Sequence, residues 1–116
     1  MKNREEKLFV NDILLFCEHI AEYIHGVDKN SFLSNRMLQD ALVRKIEIIG
    51  EAVKNISTET REKYPQIAWK EIAGMRDKIV HGYFNVDLDI VWKTVTQFIP
   101  KLKPEIEKIL ETISNQ

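Results

Sequence analysis

Residues 9–24 read FVNDILLFCEHIAEYI, and the spacing of their apolar side chains indicates the fold class. This spacing is the period of an amphipathic helix, so the stretch predicts a helix of about five turns with a wide apolar face. One stripe, in steps of three and four, contains Phe9, Ile13, Phe16, Ile20 and Ile24. A second stripe beside it contains Val10, Leu14, Cys17 and Ala21.

A second long helix is predicted farther along the chain. Gly26 is expected to end the first helix, and the stretch from Val27 to Asn35 reads as a loop that holds possible helix caps. The second helix is then expected from about Asn35 to Ile56. Gly50 lies inside it, and close packing against another helix is the favoured explanation. The apolar stripe of this helix contains Leu42, Ile46, Ile49, Val53 and Ile56.

Shorter helices are expected in the middle of the chain. Ser57 or Thr58 is suited to cap a short helix, which the pair Tyr64-Pro65 would end. The next helix is expected to end near Gly82. Its apolar positions are Trp69, Ile72, Ile79 and Val80.

The C-terminal part of the chain completes a helical bundle. Asp87 is suited to cap a further helix, which Pro100 breaks or kinks, and Pro104 suits the first turn of a last helical piece. No strand-like alternation runs longer than a few residues. The sequence therefore predicts an all-α fold, an antiparallel bundle of four to five main helices that forms one domain over residues 1–116.

The bulk composition is that of a small soluble protein. The 116 residues are 44% hydrophobic and 30% charged, and the formal net charge is −1. The whole molecule therefore does not attract nucleic acid, and any RNA contact needs a local basic patch. The single cysteine, Cys17, cannot form a disulfide within the chain, which is typical of a reducing compartment. Without a signal-peptide core or a membrane-spanning run, a cytoplasmic location is expected.

Arg76 stands where its predicted helix should present an apolar side chain. It shares one stripe with Trp69, Ile72 and Ile79, at steps of three, four and three. A long arginine stem can carry the charge to the surface, whereas a buried guanidinium needs an anionic partner. The sequence leaves both readings open.

His81 and Tyr83 follow directly after this helix, and Gly82 between them indicates a turn. With Arg76 they supply a permanent cation, a group that titrates near neutral pH and a phenol. This set suits cleavage of an RNA phosphodiester and needs no metal. Histidine exchanges protons with the ribose 2′-hydroxyl or the leaving oxygen, and arginine binds the phosphate oxygens as charge develops. The expected product is a 2′,3′-cyclic phosphate.

Residues 76–83, RDKIVHGY, resemble the Arg-x4-His-x-Tyr signature of HepT-like toxins in the HEPN superfamily. Residues 48–54 (IIGEAVK) are similar to the family's second-helix signature, and residues 65–75 (PQIAWKEIAGM) are similar to its run into the motif. Val91-Trp92 and Ile99-Pro100 also look like the family pattern. Arg-x4-His alone occurs by chance, but with these blocks in order the resemblance is specific and covers nearly the whole chain.

The resemblance implies a function and partners. It implies a helical-bundle homodimer in which Arg76 and His81 of both subunits meet in a cleft, and the wide face of the first helix suits such an interface. It implies a metal-independent endoribonuclease toxin without a cofactor, the toxin of a type VII toxin–antitoxin pair. The antitoxin would be an MntA-type nucleotidyltransferase, which transfers AMP from ATP onto the motif tyrosine, here Tyr83.

Two supporting residues and two other functions remain open at this point. Asp77 either orients His81 or is simply exposed, and Glu51 pairs with Arg76 if their helices pack together. One alternative function is a non-catalytic subunit that binds nucleotide or the transferase. The other is a helical dimer without chemistry, in which Arg76 only pairs across an interface.

Overall fold

The computed structural model describes the backbone of residues 2–81 and 85–115, and the side chains of residues 5–80 and 85–115. Helices make up most of this part of the chain. In chain order they are α1 (Lys2–Ile24), α2 (Lys29–Leu33), α3 (Arg36–Lys54), α4 (Thr58–Lys63), α5 (Trp69–Ala73), α6 (Met75–Ile79), α7 (Leu88–Lys93), a π-helical segment (Thr94–Phe98) and α8 (Ile99–Ser114).

Strand pairing in the described residues is confined to a short ribbon after α6. The two strands, β1 (Val80–His81) and β2 (Asn85–Val86), are antiparallel. α6 therefore ends at Ile79, before the predicted end near Gly82. The all-α class is confirmed. No helix within the described ranges is both long and apolar enough to cross a membrane.

The apolar face of α1 is wide because this helix packs against two others. α1 contacts α3 on one side and α8 on the other, so both predicted stripes contribute to the core of the chain itself. The width of this face therefore gives no sign of a further partner. The side chains at its centre are at most 1% exposed and belong to Val10, Ile13, Cys17 and Ile20. Burial raises the pKa of the Cys17 thiol to about 12, so the thiol stays protonated at neutral pH.

The segment predicted as a loop, from Val27 to Asn35, contains the helix α2. The carboxylate of Asp28 caps it by accepting a hydrogen bond from the Ser31 N–H at 2.8 Å. Phe32 is fully buried, and its ring centroid lies 5.0 Å from that of Trp92. A helix of five residues is too short to show an apolar period, so the sequence does not reveal it.

The helix predicted around Arg76 is divided at Gly74 into α5 and α6, and this break moves the buried stripe by one residue. The buried positions are Trp69, Ile72, Met75 and Ile79. The core position assigned to Arg76 from the spacing is therefore occupied by Met75. The prediction that Arg76 lies in the apolar stripe is wrong, because it assumed one uninterrupted helix.

The two C-terminal pieces predicted around the prolines form one helical run, made of α7, the π-helical segment and α8. Pro100 lies directly after the π-helical segment, so at this proline the helical geometry changes and the helix does not end. Pro104 lies inside α8 and does not begin a new helix. An interior proline costs about 3 kcal/mol, and the burial of Leu102 and Ile106 on either side of it offsets that cost.

α3 and α5 approach each other closely at Gly50. A β-carbon at Gly50 would lie 3.3 Å from the carbonyl oxygen of Ile72 and 3.5 Å from that of Ala73. Both atoms belong to the backbone and cannot move aside as a flexible side chain would. The prediction that another helix packs closely at Gly50 is confirmed.

Replacing Gly50 with valine is expected to lower the free energy of unfolding by about 1–3 kcal/mol, because the added carbons overpack this contact. Urea unfolding followed by circular dichroism measures the change. Gly74→Ala is the control, since a β-carbon there meets its nearest atom, the Lys70 carbonyl oxygen, at an ordinary 3.5 Å. Equal stability of Gly50→Val and the wild type would contradict the close approach.

Candidate active site

A polar cleft opens where α3 faces the end of α5 and the start of α6. Gly50 lies at this crossing, so the two walls come close together. Three basic and three acidic side chains line the cleft, so their charges balance. They are Arg44, Glu47, Glu51, Lys54, Arg76 and Asp77.

Arg76 extends into this cleft from the first turn of α6. Its side chain is 52% exposed. Of the two alternatives left open by the sequence, a charge carried to the surface and a buried guanidinium, the first is therefore correct. Its Nε donates a hydrogen bond to Oε2 of Glu47 at 3.2 Å, and its Nη1 lies 3.7 Å from Oδ1 of Asp77. Within the described part of the chain, neither Nη group donates a hydrogen bond. The guanidinium is therefore held at Nε by Glu47, and its Nη groups, beside the Asp77 carboxylate, keep N–H donors for an anion.

The acid that pairs with Arg76 is Glu47, one turn before the predicted Glu51. The two glutamates are four residues apart and lie on the same face of α3, and both line the cleft. Glu51 pairs with Lys54 instead, at 3.2 Å. The prediction of Glu51 was made on the condition that the two helices pack together. They do pack, but the position at which α6 crosses α3 brings Arg76 to Glu47 instead.

His81 follows α6 in the chain, and its backbone lies in β1 opposite Asn85. The side chain of His81 and the whole of Gly82 and Tyr83 lie outside the described residues. Asp77 is 81% exposed. Its role in orienting His81, and the roles of His81 and Tyr83 themselves, stay predictions from the sequence.

The cleft is suited to bind a phosphate at Arg76. An arginine is charged at every accessible pH, and its planar fork matches two phosphate oxygens. The contact with Glu47 limits the rotation of the guanidinium, so less freedom is lost when an anion binds. Among the described bases of the cleft, Lys54 is already paired with Glu51 and Arg44 forms no ion pair that would hold it. Arg76 is therefore the described base that an acid holds in place and that keeps unused donors.

A family model described as "Ribonuclease HepT-like" matches residues 13–109. "Putative RNase MJ0125" of Methanocaldococcus jannaschii is 43% identical over 116 residues, which cover 100% of both chains. "Probable ribonuclease HepT" of Thermococcus cleftensis is 42% identical over 106 residues, which cover 91% of this chain and 96% of that protein.

A third similar protein is longer than this chain. "Gamma-glutamylcyclotransferase and putative RNase MJ0434" of Methanocaldococcus jannaschii is 48% identical over 110 residues. The aligned region covers 95% of this chain and 50% of that protein, so the chain spans about half its length. No solved structure gives a significant match.

Proposed function

The chain belongs to the HepT-like ribonuclease family, and from this premise we propose that it is an endoribonuclease that cleaves RNA without a metal ion. The working residues are Arg76 and His81. The observation that carries the proposal is the position of Arg76, which is half exposed in a cleft and held by Glu47 at 3.2 Å. A fixed, open guanidinium stabilises the charge that builds up on a phosphate during cleavage.

The proposed reaction uses the RNA's own 2′-hydroxyl as nucleophile. The 2′-oxygen attacks the adjacent phosphorus and loses its proton to a histidine, while the 5′-oxygen leaves and takes up a proton. The products are a 2′,3′-cyclic phosphate end and a 5′-hydroxyl end. Arg76 binds the non-bridging oxygens, and His81 transfers the protons.

A homodimer would complete this site. With His81 from each subunit in one cleft, one histidine can accept the proton of the 2′-hydroxyl and the other can donate to the leaving oxygen. Leu8 and Leu15 lie two turns apart on α1 and are 62% and 42% exposed, which leaves apolar surface for a second copy. Light scattering of the purified chain would give twice the subunit mass.

The nuclease proposal is tested on total cellular RNA in EDTA, with the wild type and His81→Ala at matched thermal stability. Cleavage by the wild type alone is the expected result. Uncleaved RNA with a well-folded wild type, shown by intact mass to be unmodified, would count against the nuclease and favour a binding subunit.

Control by a partner is the second part of the proposal. An MntA-type nucleotidyltransferase would transfer AMP from ATP onto the Tyr83 hydroxyl, with pyrophosphate leaving. Each AMP would add a negatively charged phosphodiester two residues from His81. The RNA backbone carries the same sign of charge, so the modified chain would bind RNA poorly. The toxin would thereby lose its activity.

Tyr83→Phe is therefore expected to keep ribonuclease activity and to escape the transferase, because it lacks the acceptor oxygen. Intact mass after incubation with ATP and the transferase should show whole AMP units on the wild type and none on Tyr83→Phe. Cells that express both proteins should grow with the wild type and stop growing with Tyr83→Phe. Modification of Tyr83→Phe to the same extent would refute the assignment.

One observation favours a second candidate function, a non-catalytic subunit that binds nucleotide or the transferase. The cleft carries three acids beside its three bases, and the formal net charge is −1, whereas a nuclease gains from positive surface. A chain that forms a tight complex with the transferase and leaves RNA intact would support this function.

A further inference from the structure

A second groove runs along α6, on the side away from the cleft. Arg76 lines the cleft and Lys78 lines the groove. Residues two positions apart on a helix point to nearly opposite sides. The far wall of the groove is the run of α7, the π-helical segment and the start of α8. Three exposed lysines from three elements line it, which are Lys78 on α6, Lys93 on α7 and Lys101 on α8.

The positive charge of this groove is only partly neutralised by the acid that lines it. Across residues 5–80 and 85–115, none of its three lysines forms an ion pair, whereas other surface lysines do. Glu71 is the one acid among the described lining residues, so the lining carries a net charge of +2. The groove therefore provides the local basic patch that a chain of net charge −1 needs to bind RNA.

The floor of the groove is apolar and includes an aromatic ring. Met75, Ile90 and Phe98 line it, and Phe98 is only partly buried. Single-stranded nucleic acid is held in this way by other proteins, with cations along the backbone and aromatic rings under the bases. Phe98 belongs to the π-helical segment, and such segments are frequent at functional sites.

We propose that this groove binds a single-stranded stretch of the RNA substrate, with phosphates against the lysines and a base against Phe98. The proposal rests on the proposed function and extends its binding surface beyond the cleft. α6 separates the two sites, and a helix with its side chains is about 10 Å across. An RNA strand that crosses α6 can therefore contact Arg76 on one side and Lys78 on the other.

The test measures binding of a fluorescent 2′-O-methyl oligoribonucleotide by anisotropy at several salt concentrations. This probe has no 2′-hydroxyl and is not cleaved by the proposed reaction. Lys93→Gln/Lys101→Gln is expected to bind roughly tenfold more weakly at low salt. The slope of log K against log salt should become shallower by about 1.4, which corresponds to two lost phosphate contacts on a single strand.

The matched control is Lys7→Gln/Arg36→Gln, which removes two exposed basic residues outside the groove that form no ion pair with the described residues. It gives the same net charge as the groove variant, and its binding and salt slope should equal those of the wild type. An equal loss of probe affinity in both double variants would show a general charge effect and overturn the proposal. Thermal unfolding of each variant confirms that the fold is retained.

Glu71→Gln provides a test with the opposite sign. Because it removes the acid that repels phosphates at the groove, it should bind the probe several-fold more tightly. A damaged fold cannot produce this gain. Weaker or unchanged binding by Glu71→Gln would contradict the proposal.

Cleavage of unmodified RNA, measured in parallel, separates this proposal from the nuclease. If the wild type cleaves RNA and the groove variant binds the probe like the wild type, the proposal that the groove binds RNA is wrong. The nuclease proposal then stands. If the wild type neither binds nor cleaves RNA, both are wrong. Altered self-association of the groove variant with unchanged RNA binding would assign the groove to a second copy of the chain and overturn the proposal.

Discussion

Replacing Arg76 with alanine is expected to slow RNA cleavage about 10²–10³-fold, because it removes the cation proposed to stabilise charge on the phosphate. The stability of the fold should hardly change. The ion pair with Glu47 is half exposed, and such pairs contribute about 0–1 kcal/mol. The rate constant for cleavage, measured under single-turnover conditions beside urea unfolding, checks both parts.

The size of the two effects distinguishes the remaining interpretations of Arg76. Arg36→Ala is the matched control, since Arg36 is exposed at the start of the same helix that carries Glu47, and it should cleave like the wild type. Arg76→Lys should recover only part of the rate, because lysine lacks the planar fork. A loss of several kcal/mol in stability with unchanged cleavage would instead indicate a purely structural ion pair.

Replacing Glu6 with alanine is expected to lower the free energy of unfolding by about 2–4 kcal/mol. The Glu6 carboxylate is buried and joins α1 to the start of α4. It accepts a hydrogen bond from the Ser57 N–H at 2.6 Å and another from the Thr60 hydroxyl at 2.6 Å. Its removal leaves both donors without their partner. Glu5→Ala, which removes an exposed neighbouring charge, should change stability by less than about 0.5 kcal/mol.

The contribution of Glu6 should also depend on pH. Burial alone would raise the pKa of this carboxyl, but the hydrogen bonds from Ser57 and Thr60 outweigh it and hold the pKa below its ordinary value of 4.5. A lowered pKa stabilises the folded state above the ordinary value, and this stabilisation is lost as the pH falls through the lowered one. The stability difference between wild type and Glu6→Gln should therefore be largest near neutral pH and shrink below pH 4.5. A difference that stays constant into acid would contradict the lowered pKa.

Local features of the fold could be predicted because the physics that produces them is local. Two predicted caps, Ser57 and Asp87, each accept a hydrogen bond from the N–H three residues later at 3.1 Å. Gly50 marked the close contact with α5, since a glycine in a helix interior needs such a reason. The apolar period of α1 and α3 was enough to fix the all-α class.

Features set by packing between distant segments could not be predicted. The break at Gly74 places Met75 in the core where an unbroken helix would place residue 76. Pro104 lies inside α8, and Leu102 and Ile106, two positions to either side of it, are buried. The buried carboxylate of Glu6 pairs with residues more than fifty positions away in the chain, and no local pattern reveals such a partner.

In the candidate site, too, local features could be predicted and contacts between distant segments could not. The motif that contains Arg76 and His81 is contiguous, so its residues could be named from the sequence. Glu47 is 29 positions from Arg76, and the sequence led to Glu51 instead, which lies on the same face of α3 one turn later. The choice between them depends on the crossing of α3 and α6, which only the folded chain defines.

The most direct test of the nuclease is the chemistry of the RNA ends that it leaves. A defined oligoribonucleotide is incubated in EDTA with the wild type, Arg76→Ala and His81→Ala, and the fragments are examined by mass spectrometry. The wild type alone should yield 2′,3′-cyclic phosphate and 5′-hydroxyl ends. Fragments with 3′-hydroxyl ends, or the same cleavage by all three proteins, would contradict a reaction carried out by Arg76 and His81.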